Sequence, residues 1–160
     1  MLKEDVELTM LDGSKRSSKD FAGQLVMVVN VASRCGLSPQ YETLEKLQKK
    51  YGPRGFTVLG VPSSSFKQEL KDDSAINEYC STTWGVTFPM TSKADVNGRN
   101  RHPLYKHLVK TKDRMGLAGP VMWNFEKFLI LPDGTIHRFR PKTQPDSDEI
   151  IELIEANLPR

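Results

Sequence analysis

Cysteine is scarce in this 160-residue chain: there are two, Cys35 and Cys80. Two cysteines do not make a disulfide scaffold, and in a reducing compartment such thiols more often serve chemistry, which points to the cytoplasm. The three histidines, His102, His107 and His137, come without the cysteine or carboxylate pattern that completes a metal site, so no metal is expected. No apolar run approaches the length of a membrane span. The start, Met1-Leu-Lys-Glu-Asp-Val-Glu7, lacks the basic-then-apolar pattern of a signal peptide. Neither GxGxxG nor GxxxxGK[ST] occurs, so no phosphate loop and no bound cofactor is expected. A net charge of +3 is weak support for a nucleic-acid partner, and none is expected. There are also no repeats and no low-complexity linker. What remains is ordinary: 38% hydrophobic and 27% charged residues, read as one globular domain over residues 1–160.

Hydrophobic periodicity orders the chain. Val6–Met10 alternates and Asp12-Gly13 turns, which predicts an N-terminal β-hairpin. Leu25–Val31 is a β-branched-rich run suited to a strand buried on both faces. Ser38-Pro39 reads as an N-cap and first helical residue, opening a helix over 39–51, and Phe56–Pro62 is a second apolar strand. A right-handed crossover makes these two strands parallel. Asp73-Ser74 caps a helix carrying Ile76, Tyr79 and Cys80, and Pro103 opens a short one. Phe125–Leu131 and Thr135–Phe139, joined at Asp133-Gly134, form an antiparallel pair, and a last helix starts near Asp146. A βαβ half followed by a ββα half describes an α/β, thioredoxin-like fold: a central mixed sheet flanked by helices, with the hairpin at its N-terminus.

Cys35 ends the apolar run and immediately precedes the helix-start signals. Unpaired N–H groups and the dipole at a helix N-terminus favour an anion, and Arg34 adds a positive charge. Such a setting can lower a thiol pKa from about 8.5 towards 3.5–7.5. A cysteine can equally be a small buried hydrophobe, and position alone leaves both readings open.

Asn30-Val-Ala-Ser-Arg-Cys-Gly-Leu-Ser-Pro-Gln-Tyr41 resembles the active-site signature of the glutathione peroxidase family, in its cysteine rather than selenocysteine form. Phe56–Pro62, then Trp84-Gly-Val-Thr-Phe-Pro-Met90 leading to Val96-Asn-Gly, then Trp123-Asn-Phe-Glu-Lys-Phe-Leu129 resemble further family blocks in the family's order. The resemblance covers nearly the whole chain and implies an enzyme that reduces hydrogen peroxide and organic or lipid hydroperoxides. It implies Cys35 as the peroxidatic cysteine, which becomes a sulfenic acid. Trp123 and Asn124 would be the neighbouring donors, with the Gly36 N–H a further one. Cys80 matches the resolving cysteine of the thioredoxin-dependent branch, so thioredoxin is the implied reductant, with glutathione or another small thiol the alternative. The stretch from Asn97 to Trp123 lacks the long insertion that the family's tetrameric, glutathione-using members carry, so the resemblance implies a monomer.

One departure stands out. Where the family carries a glutamine before a phenylalanine, this chain reads Pro62-Ser-Ser-Ser-Phe66 and places Ser65 there. Serine is too short to reach the same point. Gln68, beside an apparent one-residue deletion, would have to swing in; otherwise the implied catalytic tetrad is reduced to three. A site weakened in this way keeps open a second role, a peroxide sensor or disulfide relay with low turnover.

Overall fold

The computed structural model describes residues 5–159; the first part of the charged start, residues 1–4, lies outside them. The hairpin pairs β1 (Glu7–Thr9) with β2 (Lys15–Ser17). The central sheet has the order β4-β3-β5-β6, with β3 (Leu25–Val31) at its heart. β3 is parallel to β4 (Phe56–Pro62) and antiparallel to β5 (Lys127–Ile130), which pairs in turn with β6 (Ile136–Phe139). The two parallel strands occupy the ranges that their apolar runs predict.

Every residue of β3 is buried, because both sheet faces are covered. Leu25, Met27 and Val29 face one core, filled by Tyr41, Leu44 and Leu47 of α1 (Gln40–Tyr51) and Ile150 and Ile154 of α4 (Asp148–Asn157). Val26 and Val28 face the other, filled by Leu104, Tyr105 and Leu108 of α3 (Pro103–Leu108) and by Leu8 and Phe21. Each such side chain contributes about 1.5–3 kcal/mol by leaving water. Cys35 and Cys80 both belong to the first core.

Several boundaries differ from the expected ones for local reasons. The helix α1 begins at Gln40, and Ser38 does not cap it: its hydroxyl donates to the Ala32 carbonyl at 2.8 Å. Successive N–H bonds to the third residue back, from Ser38, Gln40, Tyr41 and Glu42, tighten the chain into the helix instead. The cap of α2 (Asp73–Tyr79) is Asp72, whose carboxylate accepts from Ala75 N. Cys80 does not continue that helix but opens a wider, π-type turn, Cys80–Trp84. β5 starts at Lys127 because Phe125 lies in the left-handed region, at φ 64°.

Candidate active site

The loop after β3 carries Cys35 and is tied to the segment after β4. Arg34 N donates to the Gln68 carbonyl at 2.8 Å. Ser33 donates to Glu69 Oε1 through both its amide and its hydroxyl, at 3.1 and 2.5 Å. Within the loop, Leu37 N reaches the Cys35 sulfur at 3.3 Å. The amide found on the sulfur is therefore that of Leu37, one residue beyond Gly36. Cys35 is 6% exposed and lies in the wall of an open pocket of about 700 Å³ with Leu37, Met122, Trp123, Arg140 and Pro141.

Trp123 reaches this pocket from the far end of the chain, in a segment placed by Asn30 of β3, and Asn124 follows it into the interior. The Asn30 amide donates to the Trp123 carbonyl at 3.0 Å and accepts from Glu126 N at 3.0 Å, while its backbone carbonyl takes Phe125 N. Both ends of a polar side chain buried in a hydrophobic strand are thus satisfied, as burial requires. Trp123 packs against Phe66 with ring centroids 5.2 Å apart. Asn124 is fully buried, and its Nδ2 donates to Gln68 Oε1 at 2.9 Å.

That bond decides which of the two candidates, Ser65 or Gln68, meets Asn124. Gln68 sits against Asn124, whereas Ser65 is turned away, its hydroxyl accepting from Ser63 Oγ and from Val96 N. The turn that brings Gln68 in passes through Lys67 at φ 60°. Among the described residues Lys67 and Phe125 are the two non-glycines with positive φ, and they flank the bonded pair Gln68 and Asn124. Strain of this kind, about 1–3 kcal/mol per residue, persists where surrounding structure imposes it and gathers at functional sites.

Pro141, in the wall of this pocket, is held by a buried lysine. Lys127 donates through Nζ to the carbonyls of Pro141, at 2.7 Å, and Thr143, and Gln40 Nε2 also holds the Pro141 carbonyl. Burial pushes the Lys127 amine down to about 7, against the opposing pull of Glu126. An unfolded lysine holds its proton to about pH 10.4. Between those values the unfolded chain binds a proton that the folded protein does not, so this group makes stability rise with pH above about 7. The slope is about 1.4 kcal/mol per pH unit. Denaturant unfolding of wild type and Lys127→Met at several alkaline pH values is expected to show that slope as a difference between the two proteins. A constant difference would mean that Lys127 stays protonated.

Cys80 is 2% exposed and opens on a different pocket, of about 400 Å³, near Met10, Val86 and Phe88. Both thiols are free. Burial pushes the Cys80 thiol up to about 11; the Glu69 charge adds to the rise and Tyr41 opposes it. The π-type turn that starts at Cys80 is closed by Gly85 at φ 62°, with long N–H bonds of 3.2 Å to the Ser81 carbonyl from Gly85 and to the Cys80 carbonyl from Val86. Among the described residues no group of three or more His, Cys, Asp or Glu is placed to hold a metal, and no helix is long and apolar enough to cross a membrane. His102 precedes α3 and caps it, its Nδ1 accepting from Leu104 N.

The family model for glutathione peroxidase matches residues 4–109. The chain belongs to the glutathione peroxidase family. It is 44% identical to the thioredoxin/glutathione peroxidase BtuE of Escherichia coli, over 92% of each chain. It is 42% identical to the hydroperoxy fatty acid reductase gpx1 of Synechocystis, over 92% of this chain and 90% of that one. Among solved structures, Trgpx in its apo form superposes with a TM-score of 0.71 at 36% identity, covering 96% of this chain and 95% of that one. A thioredoxin family protein of Chlorobium tepidum shares the fold alone, with a TM-score of 0.65 at 18% identity over 93% and 92% of the two chains. The fold is thioredoxin-like, and the protein is a peroxidase that reduces hydroperoxides, as its family implies. The sequence pattern gives Asn30 no role of its own, although a polar residue inside a β-branched run is the signal that marks it.

Proposed function

We propose that Cys35 is the peroxidatic thiol, that Cys80 resolves its sulfenic acid, and that thioredoxin is the reductant. The observation that carries this reading is the placement of the Cys35 sulfur, under the Leu37 amide and in one pocket wall with Trp123. The Cys35 thiolate attacks one peroxide oxygen, the O–O bond breaks, and the departing oxygen leaves as water or an alcohol after taking a proton. Cys35 is left as a sulfenic acid. The Trp123 indole N–H and the Gln68 amide nitrogen are donors for the oxygen on which charge develops. Asn124 holds Gln68 in place.

Cys80 then attacks the Cys35 sulfur, an S–S bond forms, and water leaves; thioredoxin reduces the disulfide. Disulfide geometry requires Cα atoms within about 7 Å, and the two thiols open on different pockets, so the Cys80–Trp84 turn opens for this step. Its long hydrogen bonds and Ser-Thr-Thr sequence make it a weak point of the helix. Apolar Leu37, Trp123 and Met122, the last 66% exposed, suit the tail of an organic or lipid hydroperoxide, in keeping with the Synechocystis relative named a hydroperoxy fatty acid reductase. The protein acts as a monomer in the reducing cytoplasm. A second reading, a peroxide sensor or relay, is favoured by the burial of Cys80 away from the Cys35 pocket, which slows resolution and lengthens the life of the sulfenic acid.

The test follows NADPH oxidation driven by hydrogen peroxide and by an organic hydroperoxide, with thioredoxin and its reductase or with glutathione and its reductase. Turnover with thioredoxin that Cys80→Ser abolishes is the expected result. Turnover with glutathione that survives Cys80→Ser would move the protein to the small-thiol branch. One stoichiometric oxidation followed by poor turnover in both systems would favour the relay.

A further inference from the structure

Resolution by Cys80 asks a buried thiol with a value near 11 to act as a nucleophile at neutral pH. Before the Cys80–Trp84 turn opens only about one such thiol in 10,000 is ionised at pH 7, and even at the ordinary thiol value of about 8.5 only a few in a hundred are, so an adjacent proton acceptor would matter. Three side chains surround the problem. Tyr41 of α1 stands beside Cys80, but burial holds its hydroxyl well above its ordinary value, so it keeps its own proton. Lys93 is spent on the carbonyls of Leu70 and Lys71 and can only donate. Among the described residues Glu69 is the carboxylate whose charge raises the Cys80 thiol, and it raises the Tyr41 hydroxyl as well.

The Glu69 carboxyl is arranged asymmetrically. Oε1 takes all three of its hydrogen bonds, from Ser33 N, Ser33 Oγ and Leu70 N. Oε2 is shielded from solvent and has no hydrogen-bond partner. A buried, unpaired carboxylate oxygen is costly and calls for an explanation. Burial raises the Glu69 carboxyl above its ordinary range, while Ser33, Leu70 and Lys93 pull it back, which makes it a stronger base than a solvated carboxylate. Its anchors belong to the Cys35 loop and to its own segment, not to the Cys80–Trp84 turn. It therefore stays beside the Cys35 loop when that turn opens.

We infer that Glu69 is the base for disulfide formation, its Oε2 receiving the Cys80 thiol proton as Cys80 attacks the Cys35 sulfenic acid. The inference rests on the two-cysteine reading above. The S–S bond forms as the S–O bond of the sulfenic acid breaks, and the proton on Glu69 passes to the departing hydroxide, which leaves as water. Glu69 ends as the carboxylate, and the only oxidant is the hydroperoxide already consumed.

The experiment separates the two chemical steps. Reduced protein is mixed with one equivalent of hydrogen peroxide and quenched at intervals. The Cys35 sulfenic acid and the Cys35–Cys80 disulfide are counted by mass spectrometry, between about pH 6.5 and 8.5, for wild type, Glu69→Gln and Glu69→Asp. With a built-in base the wild-type rate of disulfide formation is nearly flat over this range. Without it the rate follows the thiolate and climbs about tenfold per pH unit. Glu69→Gln is expected to show that climb and to be at least about tenfold slower at pH 7, while Glu69→Asp keeps the flat profile. Equal slowing of both steps by Glu69→Gln with the profile unchanged would make Glu69 only a clamp on Ser33 and overturn the inference. A tenfold climb in wild type itself would overturn it even if Glu69→Gln failed to fold. Wild type that forms no Cys35–Cys80 disulfide at all would instead overturn the two-cysteine reading and the inference with it.

Discussion

Cys35→Ser is expected to lower kcat/KM for hydroperoxides by about 1,000-fold or more, in line with the loss of a nucleophile elsewhere. A serine hydroxyl is not ionised near neutral pH and has no counterpart of the sulfenic acid, so both attack on the O–O bond and storage of the oxidising equivalent disappear. Most of the surroundings stay: the Trp123 carbonyl is held by Asn30 and Gln68 by Asn124, neither through the sulfur. The change removes no methylene group from the core, so the thermal midpoint is expected to move little. The same coupled assay and a thermal melt check both statements. More than a tenth of wild-type turnover left in a Cys35→Ser protein free of wild type would mean that another group reacts with the peroxide.

Arg138→Met is expected to cost about 3–5 kcal/mol of stability, the range for breaking a buried ion pair by removing one partner. Arg138 and Glu126 are both fully buried, with Arg138 Nε 2.6 Å from Glu126 Oε2. The same guanidinium donates to the carbonyls of Thr111 and Pro120, both at 3.0 Å, and so fastens the 109–120 segment to the edge strand β6. Methionine fills much of the space but leaves those carbonyls without a donor. Glu126 would keep only Arg140, which is shared with Asp113. For a chain of this size the loss corresponds to a fall in Tm of about 10 °C. Adding Glu126→Gln removes the stranded charge and is expected to recover part of the loss. Denaturant unfolding of the single and double variants measures both, and a single-variant cost below about 1 kcal/mol would show that the pair contributes little beyond a hydrophobic equivalent.

By itself the sequence determined the parallel pair β3 and β4, because continuous β-branched runs have no other good use than strands buried on both faces. It also determined the place of Cys35 after β3 and singled out Trp123-Asn124 as a motif. The tertiary structure decided what joins them. Gln68 meets Asn124 across 56 residues only because Lys67 takes a left-handed turn that no propensity favours for lysine. Asn30 interrupts an apolar strand, and its purpose is visible only once Trp123 and Glu126 lie beside it. Arg138, Glu126 and Lys127 read as surface charges in any pattern of polarity, yet all three are buried. Burial of a charge is settled by partners from distant parts of the chain, and those partners exist only in the folded protein.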